Sequence, residues 1–105
     1  MKNRKVKESE LQKLILDYLK AKNIFHYRNN SGAFKNSEGH FYRFGANGSP
    51  DIVIVKNGQY IGCEIKGTGG LQSQYQKDFQ EGLEKAGGKY LLIYSLEELI
   101  KYGII

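Results

Sequence analysis

DIVIVKNGQYIGCEIK, residues 51–66, is the stretch whose reading decides the fold. Its two halves, DIVIVK (51–56) and QYIGCEIK (59–66), are rich in the β-branched and aromatic residues that suit strands. Asn57-Gly58 between them is a two-residue turn of the kind that closes a tight β-hairpin. Such a turn pairs position 56 with 59, so position 51 falls opposite about 64. Residues 64 and 66 are two apart on one strand, and their side chains share a face. The hairpin therefore predicts Asp51 and Glu64 as cross-strand neighbours, with Lys66 beside them.

Two adjacent carboxylates repel unless a cation joins them. A hard divalent ion that prefers oxygen, Mg²⁺ or Mn²⁺, is the natural occupant. A lysine next to it can hold an attacking water or neutralise charge developing on a phosphate. The plainer alternative is an ion-pair cluster on an exposed sheet face.

Moving outward, Leu11, Leu14, Ile15, Tyr18 and Leu19 recur at helical spacing and predict an amphipathic helix over 9–22. Ser9 and Gln12 have the spacing of a capping box at its start. IFHYRN (24–29) reads as a strand. Residues 29–49 are rich in Asn, Ser and Gly and read as a long loop or irregular hairpin, with a short strand at 40–44. Residues 73–87 read as a helix with Phe79, Leu83 and Ala86 on one face, closed by Gly87-Gly88. KYLLIYS (89–95) reads as a buried strand, and SLEELIKYG as a short final helix capped by Ser95. The predicted order is α-β-β-β-α-β-α.

The chain has 105 residues, the size of one domain, so a single domain over 1–105 is expected. No apolar run approaches the length of a membrane span, and the basic N-terminus lacks the apolar region of a secretory signal. Cys63 has no second cysteine to pair with, which fits a reducing cytoplasm, and it reads as a small core residue. His26 and His40 stand apart from any zinc-type spacing. The net charge of +5 is uneven: residues 1–30 hold eight Lys/Arg against three Asp/Glu, while 31–105 hold eight of each. A basic N-terminal segment suits a polyanion. The alternative is a solvated tail.

Gly48-Ser49-Pro50-Asp51, then Glu64-Ile65-Lys66 after a hairpin, then Ser73-x-x-Gln76, resembles the PD-(D/E)XK nuclease superfamily, and more narrowly its VRR-NUC family, the virus-type replication-repair nuclease domain. The resemblance covers nearly the whole chain and implies a stand-alone domain. The fold it implies is α/β: a restriction-endonuclease-like αβββαβ core with a mixed sheet flanked by helices. It implies that Asp51 and Glu64 ligate the metal, that the backbone carbonyl of Ile65 completes the site, and that Lys66 is the catalytic lysine. Gln76 would lie at the mouth of the site, although Ser73-x-x-Gln76 is also a capping box.

The resemblance also implies a metal-ligating glutamate on the first helix, for which Glu8 and Glu10 compete. Glu8 falls on the side of Leu11 and Ile15 and is favoured over Glu10, although a cap at Ser9 would leave it just outside the helix. Favourable charge at a helix N-terminus accounts for either residue equally well. Arg28, Asn30 and Arg43 accompany Tyr27, Phe41, Tyr42 and Phe44 in or beside the 29–49 region. They are candidates to grip a phosphate backbone or stack on splayed bases. Lys5 and Lys7, with Lys2 and Arg4, are candidates for nonspecific phosphate contacts.

The function implied is a metal-dependent DNA endonuclease acting on branched or junction DNA, such as a Holliday-junction resolvase. It would work as a homodimer without a small-molecule cofactor, in the cytoplasm of a bacterial host and of phage or prophage origin. The rival expectation is a nucleic-acid-binding module that keeps the fold without catalysis. Against it, Asp51, Glu64 and Lys66 are all present.

Overall fold

A computed structural model describes residues 5–29 and 32–104, with side chains at all of them except 43 and 44. The elements run α1 (Glu8–Ala21), β1 (His26–Arg28), β2 (Gly32–Lys35), β3 (Phe41–Phe44), β4 (Ile52–Lys56), β5 (Gln59–Ile65), α2 (Gln74–Lys85), β6 (Lys89–Ile93) and α3 (Leu96–Lys101). This is a mixed α/β architecture. A four-stranded sheet has the order β1-β4-β5-β6, and β2 and β3 form a separate pair.

The central hairpin follows from its turn. Asn57 (φ 54°) and Gly58 (φ 75°) are both left-handed, the signature of a type I′ turn. The ladder runs from Lys56↔Gln59 to Ile52↔Cys63, so one step further sets Asp51 opposite Glu64. β1 joins β4 antiparallel, while β6 joins β5 parallel after the crossover through α2. Alternation along the strands divides the sheet into two faces. Ile52, Ile54, Cys63, Ile65 and Ile93 pack with Leu11, Ile15 and Leu19 of α1 and Leu99 of α3 in one buried cluster. The other face carries Val53, Gly62, Glu64 and Tyr90, and α2 reaches it through Phe79, whose ring lies 6.4 Å from that of Tyr90.

Each helix ends the same way. Asn23, Gly87 and Gly103 take left-handed φ just past α1, α2 and α3. The following N–H groups of Ile24, Gly88 and Ile104 reach back to the carbonyls of Leu19, Leu83 and Leu99. These are Schellman motifs, and they satisfy carbonyls that a helix end leaves unpaired.

Several local expectations need correction. α1 begins at Glu8 with Lys7 at the cap position and no capping side chain, so Ser9 and Gln12 do not form a box. The cause is upstream: Val6 is tied at both backbone groups to Thr68, and the helix starts one residue sooner. Leu14 is exposed, because the buried stripe runs through Leu11, Ile15 and Leu19, with Leu16 packed beside it. Ser95 stands at the cap position of α3 without a side-chain bond; the carboxylate of Glu98 accepts from the Tyr94 N–H instead. The 29–49 stretch contains the expected strand near 40–44 and also β2, which pairs with it from Gly32↔Phe44 to Lys35↔Phe41. No helix among the described residues is long and apolar enough to cross a membrane.

Candidate metal centre

The segment Gly48-Ser49-Pro50-Asp51 is held by three contacts. Gly48 has φ 78°, and a Cβ there would stand 2.0 Å from the Tyr75 carbonyl oxygen, so only glycine lets the loop lie against the start of α2. Pro50 is buried over Gly62, where a Cβ would come within 2.5 Å of its Cγ. Asn29 ties the segment to β1: its amide donates to Ser49 Oγ and to the Pro50 carbonyl, each at 2.9 Å. Its backbone N–H donates to the Asp51 carbonyl at 2.8 Å. Asp51 then accepts a hydrogen bond from the Ile65 N–H through Oδ2 at 2.8 Å.

Glu64 comes from the middle of the sheet and is only 2% exposed. The Tyr90 hydroxyl donates to its Oε1 at 3.2 Å. Lys66 follows two residues later, where the ladder continues through its N–H to the Ile93 carbonyl, and its charge favours the ionised form of Glu64. Among the described residues, Lys66 forms no ion pair within 4.0 Å.

Glu8 is delivered by a glycine. A Cβ on Gly67 would stand 2.7 Å from the Val6 carbonyl oxygen and 2.9 Å from the Glu8 nitrogen. Its absence lets the N-terminal segment cross the end of β5. Thr68 fastens that crossing, its Oγ1 accepting from the Val6 N–H at 2.7 Å and its own N–H donating to the Val6 carbonyl at 3.0 Å. Carboxylate oxygens of Glu8, Asp51 and Glu64 consequently lie within 4.8 Å of one another. Glu10 points elsewhere, into a shallow recess with Lys5, Val6, Leu11 and Leu14.

The electrostatics of this cluster are unfavourable without a cation. Burial, followed by a hydrogen bond and repulsion from Asp51, pushes the Glu64 carboxyl up to about 9, against the pull of Lys66 and Tyr90. Tyr90 is held above the usual phenol range by burial and by Glu64. Cys63, on the opposite face, is pushed up to about 12 by burial and is an inert core thiol. Oxygen ligands about 2.0–2.6 Å from a hard divalent ion stand at most about 5 Å apart. The all-oxygen donor set and its spacing therefore fit one such ion, whose charge would let Glu64 ionise.

The remaining candidates fall differently. Gln76 is engaged in α2's capping box: its Oε1 accepts from the Ser73 N–H at 2.8 Å, and its N–H donates to Ser73 Oγ at 3.2 Å. Ile65 contributes its N–H to Asp51, on the strand that carries Glu64. Arg28 is exposed on β1, in a cleft of about 320 Å³ with Ser9, Gln12 and Asp17 of α1. Arg43 sits on β3 opposite Ala33. Lys5 and Lys7 are exposed ahead of α1. Asn30, Lys2 and Arg4 lie outside the described residues. Three residues that position the site carry no motif: Asn29, Thr68 and Tyr90. Asn29 alone had a signal, since a side chain that can bond backbone often stands at the end of a strand.

Comparisons with protein families, with curated proteins and with solved structures find no match to this chain.

Proposed function

We propose that the chain is a divalent-metal-dependent DNA endonuclease of the VRR-NUC type, built on a restriction-endonuclease-like core. The observation that carries this reading is the meeting of Glu8, Asp51 and Glu64 within 4.8 Å, with Lys66 on the face of Glu64. Glu8, at the start of α1, comes more than forty residues before the hairpin that carries Asp51 and Glu64, and its convergence with them on one donor set supports a built site over a chance surface cluster.

Glu8, Asp51 and Glu64 would hold Mg²⁺ or Mn²⁺. Bound there, such an ion would supply Lewis-acid polarisation of a phosphate oxygen and a nucleophilic water. Asp51 is oriented by the Ile65 N–H and Glu64 by the Tyr90 hydroxyl, so both carboxylates are aimed before any ion arrives. Lys66, free of ion pairs among the described residues, would stabilise negative charge developing on the phosphate. The substrate is branched DNA, and a two-fold homodimer would present two sites to a junction.

The test is cleavage of a branched DNA substrate in Mg²⁺ or Mn²⁺ by wild type and by Lys66→Ala. Metal-dependent cutting by wild type that falls roughly 100-fold or more in the variant is expected. Equal cutting by both, or none by either, overturns the reading.

A further inference from the structure

Among the described residues, the β2–β3 hairpin pairs with no strand of the central sheet. Every residue of β2 is exposed. Its aromatic rings face outward: Phe34 is 54% exposed, Phe41 74% and Tyr42 47%. A hairpin of two short strands has little reason to display three large rings unless they meet something.

The rings are arranged. Phe34 and Tyr42 are cross-strand partners, stacked with centroids 5.3 Å apart and planes 22° apart. Phe41 and its partner Lys35 lie on the other face, with the ammonium 5.9 Å from the ring centroid. The tip is preformed: Asn36 Oδ1 accepts from the N–H groups of Glu38 and His40, and its own N–H donates to the His40 carbonyl. Three residues before β2 the chain is tied to the segment that carries Asp51, since Asn29 bonds Ser49, Pro50 and Asp51. Four-residue strands reach about 13 Å, the rise of about four nucleotides at 3.4 Å each.

We propose that this hairpin is a base-stacking arm that holds unpaired nucleotides of the DNA substrate beside the carboxylate site. Aromatic rings with an adjacent cation are the platform that single-stranded nucleic acid uses, bases on the rings and phosphate on the ammonium. Rings on both faces suit a strand that wraps the arm better than a flat protein surface, which could cover only one. The proposal rests on the nuclease reading and specifies its substrate class: DNA with a single-stranded segment next to the cleaved bond.

The test is fluorescence anisotropy in EDTA, where no cleavage intervenes. The probes are a blunt duplex and the same duplex with a tail of about ten thymidines. Wild type is expected to prefer the tailed DNA. Phe41→Ala, and Phe34→Ala with Tyr42→Ala, should each lose about fivefold or more on the tailed probe and less than about twofold on the blunt one. Phe41→Trp should keep the preference. Exposed positions leave the melting temperature unchanged, which checks folding.

Equal losses on both probes, or on neither, overturn the arm. A change in sedimentation mass with DNA binding untouched also overturns it, and marks the hairpin as a contact between copies of the chain. Cutting without tail preference sinks the arm and spares the nuclease. An arm-dependent preference without cutting does the reverse.

Discussion

Pro50 lies directly over Gly62, so that a single methyl group at 62 would stand 2.5 Å from the ring's Cγ. The proline precedes Asp51, and the glycine sits two residues before Glu64 on the same face of β5. A glycine inside a strand normally weakens it, but here it makes the room in which the loop that carries Asp51 is seated.

Gly62→Ala should push Pro50 outward and carry Asp51 with it. Overpacking of this kind costs about 1–3 kcal/mol, and a displacement of about 1 Å at a reacting group can cost on the order of 100-fold in rate. Melting temperature and Mn²⁺-dependent cleavage should therefore both fall, cleavage more steeply. Wild-type activity in the variant would show that the loop is not held by this contact.

Glu8 and Glu10 stand on one helical turn, yet only Glu8 joins the carboxylate cluster. Glu8→Gln should weaken Mn²⁺ binding by about tenfold or more, as losing one ligand charge does. Glu10→Gln should leave it within about twofold. Saturating Mn²⁺, at about 100 times its Kd, should stabilise wild type by about 2.7 kcal/mol. Calorimetric titration and thermal melts read both quantities, and equal behaviour of the two variants would remove Glu8 from the site.

Glu64 retains its proton to about 9 in the fold, against an ordinary value of 4.5. Below the ordinary value, folded and unfolded chains both carry the proton. Between the two values only the unfolded chain has released it, so stability from this group declines as pH rises and levels off once the folded carboxyl ionises. Urea midpoints in EDTA should fall from about pH 5 to pH 8.5, by at most about 1.4 kcal/mol per pH unit. Glu64→Gln should lose that slope. Metal affinity should rise over the same window, because binding expels the proton. Parallel curves for wild type and variant would contradict this account.

Gln76 occupies the third position of a closed capping box. Glutamate serves that role as well as glutamine, so Gln76→Glu should leave stability unchanged and cleavage within about threefold. Gln76→Ala should cost about 1 kcal/mol. A large loss of cleavage in the glutamate variant, with stability intact, would assign Gln76 to the chemistry.

The most legible part of the candidate site was the part set by a local rule. Asn57-Gly58 dictates one register, and that register alone brings Asp51 across from Glu64. The placement of Glu8 was legible from helical angle despite a misplaced helix start, because moving the cap from Ser9 to Lys7 leaves the direction of each side chain unchanged. Gln76 was ambiguous in principle, since a cap and a site residue here have the same spacing. β2 was hidden because Gly32-Ala-Phe-Lys35 is exposed on both faces and so lacks the alternation by which strands are found. Gly67 and Thr68 act through contacts with the backbone of Val6 and Glu8, distant in sequence, and no local pattern encodes those.

The crossing of Val6 over Gly67 also bears on how the protein comes apart. Two of the three carboxylates belong to one hairpin, while the third arrives from a segment more than forty residues away. Fraying of the N-terminal segment would strip Glu8 from the cluster and leave Asp51 and Glu64 in register. Local opening has its own free energy, separate from global unfolding. A bound ion would act as a latch on that segment, so slow amide exchange at Val6 and Thr68 would report its occupancy long before the sheet itself yielded a signal.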